Sequence, residues 1–381
     1  MGDPLRILVL ANLPPWVMGG AEHQTARLVE HWCRQGAHVE VAGFRIPDGN
    51  ARLGQASVRT HRLGTVTGLG RGIRGMTYLA SLAQFAWRNR ARFDVAYCRG
   101  LADAALGLSL AKSIRLVRWP LMAVPINARG QGDANFLQSV PGWPLWRRLL
   151  DGQVDAINLI NADIAEELDA MELCRPQRSH IPNGIDVRPA IMRTAIHHPR
   201  RLIWTGRFEY QKGLDVLIDA LGRIGPLLDR CVIDLYGDGP LRQSLAERVE
   251  AEGMENVVHF AGLLGKDDVR AKLETADAFL LPSRYEGMSN AALEAMEAGL
   301  PVLCTSCGGI DLAVQDDAGW VCPAGDAARL AEALETMLSA TDEQWLARGR
   351  QARSIVEQRF RIEDVAALNL EWLKMLAESK A

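Results

Sequence analysis

The sequence predicts an α/β protein made of two doubly wound halves. Three observations carry that reading. Leu5–Leu10 is a continuous apolar run, as in a parallel strand buried on both faces. It leads through a loop with Pro14, Pro15, Gly19 and Gly20 into a helical period over Ala21–Arg34, and then into the strand HVEVAGF, a βαβ unit. The same plan of strand, loop and helix restarts at RLIWTGRFEYQKGLDVLIDALGRI from Arg201. With 381 residues the chain has room for two such domains. We expect them at 1–190 and 191–358, followed by a closing helix over about 359–381.

Beyond the first unit, residues 50–75 are rich in Gly, Thr and Arg and read as a mobile connector. Ile73–Arg92 carries a helical period with an apolar side and Arg74, Arg88, Arg90 and Arg92 on the other. FDVAYC is a strand and Leu101–Lys112 a helix, whereas IRLVRWPLMAVPINARGQGDANF has no assignment. Val154–Leu159 is a strand and Ala162–Met171 a helix. The Pro182-Asn183-Gly184 turn then closes the half, with the domain boundary in 187–199. In the second half CVIDLYGDGPLRQSL and VVHFAGLLGKDDV repeat strand and loop. DAFLL and LPVLCTSCGGIDLAV supply further strands, and RFRIEDVAALNLEWLKMLA from Arg359 is a final amphipathic helix.

Composition is that of a soluble globular chain, 48% hydrophobic and 23% charged. No run approaches the ~18 apolar residues of a membrane span, and the short start reads as a first strand rather than a signal peptide; we expect a cytoplasmic protein. Seven irregularly spaced cysteines argue for reduced thiols. Cys304 and Cys307 form a lone CxxC without a second pair, and His197 and His198 read as solvated. Charge is uneven. Residues 1–190 hold 22 Lys and Arg against 16 Asp and Glu, the remainder 21 against 30, and residues 45–118 hold 13 against 3. That excess predicts an anionic surface or acceptor on the first half. The basic helix with Trp87 suits either an anionic membrane face, as a peripheral contact through 45–118, or a core-facing helix with a solvated side.

The stretch LPSRYEGMSNAALEAMEAGLP from Leu281 reads as strand end, Gly-containing turn and helix. Glu286 lies in the turn, and Glu294, eight residues on, about two turns up the helix. The backbone NH groups of Gly287, Met288, Ser289 and Asn290 lie where a helix N-terminus attracts an anion. Spacing alone also permits Glu286 as a plain turn residue and Glu294 on a solvated face. Arg207 and Lys212 flank the loop after Leu202–Thr205 at a spacing that brings both cations to one point, with Gly213 opening the helix. In the first loop the Gly19-Gly20 pair permits close approach of backbone to a ligand. A GxGxxG dinucleotide fingerprint is absent there.

EGMSNAALEAMEAGLPV is similar to the Glu-x7-Glu signature of the retaining glycosyltransferases of family 4 (the group 1 type). GGAE, PNGID and GRxxxxKG resemble further segments of that family. The resemblance implies the GT-B fold: two Rossmann-like domains facing a central cleft, the first on the acceptor side, the second binding a nucleotide-sugar, and a C-terminal helix crossing back to the first. It implies a donor site of Gly19, Gly20, Arg207, Lys212, Leu263, Glu286, Gly287, Met288, Ser289, Asn290 and Glu294. Glu294 would meet the ribose, Glu286 the sugar, Arg207 and Lys212 the diphosphate, and Leu263 the base. Arg207, Lys212 and Glu286 would act in catalysis. Members of the family often place a His in the unassigned segment. This chain has none between His61 and His180, which leaves Asn127, Arg129 and Asp133 as acceptor-side candidates.

No Asp-x-Asp metal motif occurs in the chain, so we expect no metal and no cofactor, with the nucleotide-sugar as co-substrate. The expected activity is retaining transfer from a nucleotide-sugar, UDP-linked on family frequency, to a glycan or lipid-linked acceptor in cell-surface polysaccharide biosynthesis. A GT-B sugar-nucleotide epimerase would share fold and donor but act without an acceptor. A non-catalytic sugar-nucleotide-binding protein would neither transfer nor hydrolyse. Nothing in the sequence points to nucleic acid.

Overall fold

The computed structural model describes residues 3–66, 68, 70–127 and 132–379. Its contacts divide the chain into two compact units, Met1–Gly184 with Ile362–Ala381, and Ile185–Arg361.

The first unit runs β1 (Arg6–Leu10), α1 (Gly20–Arg34), β2 (His38–Gly43), β3 (Gly49–Leu53), β4 (Ala56–Arg62), α2 (Arg71–Arg88), β5 (Val95–Arg99), α3 (Asp103–Ser113), β6 (Leu121–Val124), α4 (Asp133–Gln138), α5 (Trp143–Gln153), β7 (Ala156–Asn158), α6 (Asp163–Ala170) and β8 (Gln177–Ser179). The strands form one sheet in the order β3-β4-β2-β1-β5-β6-β7-β8, parallel throughout except for the β3–β4 pair. In its central strands Ile7–Leu10, Val95–Cys98 and Leu121–Val124 are buried, because helices cover both faces of such a sheet.

Residues 49–62 correct the expectation of a connector. They form the antiparallel hairpin β3–β4, which joins the sheet through β2. Ala51, Leu53, Val58 and Thr60 are buried while Arg52, Ser57 and Arg59 are exposed. This period-2 alternation is hidden in the sequence by the Arg and Thr it contains. The unassigned segment supplies β6 and α4. α2 buries Tyr78, Leu82 and Ala86 at spacing four and ends at Asn89, whose amide donates to the Phe85 carbonyl (2.8 Å).

The second unit runs β9 (Arg200–Arg207), α7 (Leu214–Leu221), β10 (Cys231–Asp238), α8 (Arg242–Ala251), β11 (Val258–Gly262), α9 (Lys266–Thr275), β12 (Ala278–Leu281), α10 (Asn290–Glu297), β13 (Val302–Thr305), α11 (Asp311–Val314), β14 (Gly319–Cys322), α12 (Ala327–Ser339) and α13 (Asp342–Arg359). The sheet order is β11-β10-β9-β12-β13-β14, all parallel. Trp204, Phe208, Ile233 and Trp345 centre its core. His197 is not merely solvated. Its Nδ1 meets the buried Asp277 at 2.9 Å, and the same carboxylate accepts the Arg201 NH (2.7 Å).

The last helix, α14 (Ile362–Glu378), belongs to the first unit. Trp32 of α1 donates its indole NH to the Ala366 carbonyl (3.0 Å), and its ring meets Tyr97 of β5 edge-on at 5.2 Å.

Candidate functional site

In an open parallel sheet, ligands gather outside the carboxyl ends of the strands, where neighbouring strands send their connections to opposite sides. In the second unit that point lies between β9 and β12. Arg207 ends β9. A single 3-10 turn, Tyr210–Lys212, follows, and then Gly213 at φ +63 starts α7. No side chain fits at 213, since a Cβ there would stand 2.0 Å from the Pro282 carbonyl oxygen. The β9 loop therefore lies flush against residues 282–289, which leave β12.

Lys212 crosses that seam, its Nζ 2.6 Å from Glu286 Oε1. Ser283 donates its hydroxyl to the same oxygen (2.7 Å), and the Glu286 NH is held by the Cys307 carbonyl (2.6 Å). Thr305, at the end of β13, fixes the Ser283 carbonyl in turn. Glu286 is buried, at 5% exposure, yet its charge is met by a cation and a hydroxyl, as a carboxylate removed from water requires. Gly309, at φ +79, lets the loop after β13 approach, since a Cβ there would lie 2.6 Å from the Gly287 carbonyl oxygen.

A second brace, which the sequence reading missed, ties the same two loops. Arg284 pairs with both oxygens of Asp215 in the first turn of α7 (2.7 and 2.6 Å) and donates to the Tyr210 carbonyl (2.9 Å). Its guanidinium also lies 3.9 Å from the Tyr210 ring centroid. The hydrogen bonds to Arg284 hold the Asp215 carboxyl below the usual range, against the opposing effect of burial, and raise Arg284. An Arg two residues before the sequence-predicted Glu286 is the signal available for it.

The other expected donor residues fall as follows. Arg207 is exposed and pairs with Glu209 at 2.8 Å. Gly287, Met288 and Ser289 are buried non-helical loop, and Ser289 caps α10 by accepting the Ala292 NH (3.3 Å). The helix starts only at Asn290, so Glu294 sits about one turn into it rather than two, partly buried. The capping serine stops the helix from reaching back to Glu286. Leu263 follows the edge strand β11 and is 76% exposed. Three residues past Glu294, Glu297 faces inward. It binds Arg270, Arg353 and the Arg188 NH, which makes it a buried structural carboxylate.

In the first unit the corresponding point lies between β1 and β5, and a cavity of about 180 Å³ opens there. Gly19 caps α1 with extended backbone. Glu22 folds its carboxylate over it, so that a Cβ at 19 would stand 2.3 Å from Glu22 Oε2. Gly20 is the first residue of α1. Asp133 opens α4 and accepts the Ile126 NH (2.9 Å). Burial raises its carboxyl, opposed by backbone hydrogen bonds from Ile126 and Leu101. Asn127 is partly buried beside it in sequence, and Arg129 lies outside the described residues. Among the described residues no group of three or more His, Cys, Asp and Glu is placed to hold a metal. The thiols of Cys304 and Cys307 are buried and pushed up by burial.

Comparison with known proteins is consistent with these geometries. Residues 19–184 match the family described as glycosyl transferase 4-like domain, and residues 199–340 the family described as glycosyl transferases group 1. Glycogen synthase of Mycobacterium tuberculosis is 34% identical over 161 residues, 42% of this chain and 39% of that protein. The putative colanic acid biosynthesis glycosyltransferase WcaL of Escherichia coli is 32% identical over 169 residues, 42% of each chain. The match thus spans about two fifths of the length of these curated relatives. Among solved structures, Anabaena HepE in complex with UDP-glucose superposes with a TM-score of 0.73 at 19% identity, covering 97% of this chain and all of that one. The fold is that of the GT-B glycosyltransferases, two Rossmann-like units with parallel sheets.

Proposed function

From the premise that residues 19–184 belong to the glycosyl transferase 4-like domains and residues 199–340 to the group 1 glycosyl transferases, we propose that the chain is a retaining, metal-independent glycosyltransferase. It takes a sugar from a nucleotide-sugar, UDP-linked, and passes it to a glycan or lipid-linked acceptor in cell-surface polysaccharide assembly. The observation that carries this reading is the Lys212–Glu286 pair at the point where the second sheet reverses its strand order. An anionic leaving group and a hydroxyl-bearing sugar need a cation and a carboxylate side by side, and this pair supplies both. The names of WcaL and of the HepE complex with UDP-glucose support the polysaccharide and UDP parts of the reading.

In the proposed reaction Lys212 and the exposed Arg207 take the charge that develops on the departing diphosphate. Lys212 exchanges part of its bond to Glu286 for the phosphate, which frees Glu286 to accept from sugar hydroxyls and to stabilise oxocarbenium-like charge. Glu294 binds the ribose hydroxyls. Two cations at the leaving group do the work a divalent metal does elsewhere, in keeping with a chain that lacks Asp-x-Asp. Peripheral contact with an anionic membrane draws support from Met76 and Trp87, which are exposed on α2 close in sequence to Arg74, Arg88 and Arg90. Among the described residues no helix is long and apolar enough to cross a membrane.

A panel of nucleotide-sugars, with product configuration read by NMR in chelator, tests the proposal. Transfer with an axial anomeric bond kept axial, undiminished by chelator, is expected. Inversion would overturn retention, and activity restored only by Mg2+ would overturn metal independence. Epimerised donor formed without acceptor would overturn transfer itself.

A further inference from the structure

Resting on the glycosyltransferase reading, we propose that the cavity at the carboxyl ends of β1, β2, β5 and β6 takes an uncharged or amine-bearing sugar of the acceptor and excludes one that carries phosphate or carboxylate. Glu22, Asp103 and Asp133 line this cavity, and among its described lining residues Arg99 is the one cation. Of the basic side chains of residues 45–118, Arg99 lines it and Arg74 acts on Asp103 through its charge. Arg92 and His61 of that segment are instead spent on the buried Glu40, at 2.5 and 2.6 Å.

Four groups in the cavity have an unfilled hydrogen-bonding position among the described residues. Tyr78 is 94% buried, at 6% exposure, and lines the cavity. Its ring meets Phe44 edge-on, but its hydroxyl has no hydrogen-bond partner among the described residues. The carboxylates of Glu22 and Asp103 likewise take no hydrogen bond from the described residues, whereas that of Asp133 is already held by the Ile126 NH. Asp103 stands in the first turn of α3, where its charge suits the helix dipole, but no side-chain cap forms there. Burial raises the Asp103 carboxyl, with Arg74 opposing only through its charge. On Arg99, Nε has no hydrogen-bond partner among the described residues, and one terminal nitrogen reaches Asn183 Oδ1 at 3.4 Å.

The vacancies are thus two acceptor-only carboxylates, one hydroxyl able to donate or accept, and one guanidinium nitrogen. Sugar hydroxyls and an ammonium group donate to carboxylates, while a phosphate or carboxylate group offers only acceptors and meets more carboxylates than cations among the described lining residues. Phe44 and Tyr78 add ring surface for the apolar face of a sugar.

The test is calorimetric titration of the full chain with methyl glucoside, methyl glucosaminide, glucose 6-phosphate and glucuronic acid, with UDP-glucose titrated in the same preparations. The neutral and amine-bearing sugars should bind at least ~10-fold more tightly than the two anionic ones, as expected for unscreened like charges at close range. Asp103→Asn combined with Glu22→Gln should close that gap. Tyr78→Phe should weaken neutral and anionic sugars alike and so leave the gap unchanged. Melting temperatures verify that each variant is folded, and Asp103→Asn alone, which keeps the side-chain shape, should narrow the gap if the pair does not fold. Equal or tighter binding of the anionic sugars, no binding of any of the four, or a gap unmoved by Asp103→Asn would overturn the inference. If UDP-glucose binding and its loss in Lys212→Ala persist in that event, the inference alone fails. If neither UDP-glucose nor any other nucleotide-sugar of the panel binds, the glycosyltransferase reading fails instead.

Discussion

Arg207 and Lys212 are both cations on one loop, but they stand in different physical situations, and single substitutions separate them. Lys212 is bonded to a carboxylate at 5% exposure, so Lys212→Ala removes the cation from a buried carboxylate that also takes the Ser283 hydroxyl. Breaking such a pair costs roughly 3–5 kcal/mol, which for a unit of this size lowers the melting temperature by about 6–20 °C. Arg207 is 71% exposed and its bond to Glu209 is a surface pair worth at most about 1 kcal/mol. Arg207→Ala should therefore leave the melting temperature nearly unchanged. Both variants should nonetheless lower turnover by ~100-fold, the scale for losing one charge-stabilising donor. Scanning calorimetry beside steady-state rates makes the comparison, and near-normal turnover in Arg207→Ala would remove it from the leaving-group site. The two residues could be singled out in the sequence because they flank one short loop between a strand and a helix in a GRxxxxKG segment. The partner that Lys212 takes in the folded chain could not be, since the 74 residues separating it from Glu286 are bridged only by the adjacency of β9 and β12.

At the scale of elements, the seam between the β9 loop and the loop after β12 rests on Gly213 and on the Arg284–Asp215 brace. Gly213→Ala places a methyl group where only 2.0 Å separates it from the Pro282 carbonyl, at a φ of +63 that already disfavours a side chain by ~1 kcal/mol. The loops must part, so we expect a loss above ~2 kcal/mol in denaturant midpoint analysis together with weaker UDP-glucose binding. Asp215→Asn probes the brace through pH. The Asp215 carboxyl lies below its ordinary value of 3.8 in the folded chain, so the bond to Arg284 contributes stability that is present above that value and is lost as pH falls through the folded-state value. The parent chain should exceed Asp215→Asn by about 1 kcal/mol at pH 7, and urea melts should show the gap closing below pH ~4. A gap that persists at pH 2 would assign the effect to packing. Long apolar strands, such as those ending at Leu10 and Leu281, and helices opened by Gly or Ser were readable because one local pattern specifies each. The β3–β4 hairpin escaped because its buried face holds only four residues, two of them Ala51 and Thr60, among exposed arginines. α4 escaped because six residues are too few for a helical period to emerge.

For the whole molecule, the order of the chain and the order of the fold part company at Ile362. α14 is last in sequence but packs into the unit that contains residue 6, and its buried Ile362, Val365, Leu370, Leu373 and Leu376 complete that core together with Trp32 and Tyr97. Burial of such a side chain contributes about 1.5–3 kcal/mol, so five of them supply roughly 7–15 kcal/mol, an upper estimate because an unfolded chain already hides part of its apolar surface. That equals the entire net stability of a typical domain, about 5–15 kcal/mol. A chain ending at Arg361 should therefore fail to hold its first unit. It would also lose the carbonyl that satisfies the buried indole of Trp32, at a further cost of about 1–3 kcal/mol. The second unit keeps every residue of the Lys212–Glu286 seam, since all of them lie within Ile185–Arg361. The expected outcome is selective. Limited proteolysis of the truncated chain should cut within residues 3–184 and leave a resistant fragment that starts near Ile185, and hydrogen exchange should show β1 and β5 unprotected while β9 and β12 stay protected. Protection of β1 undiminished by the truncation would mean that the first unit closes its core without α14.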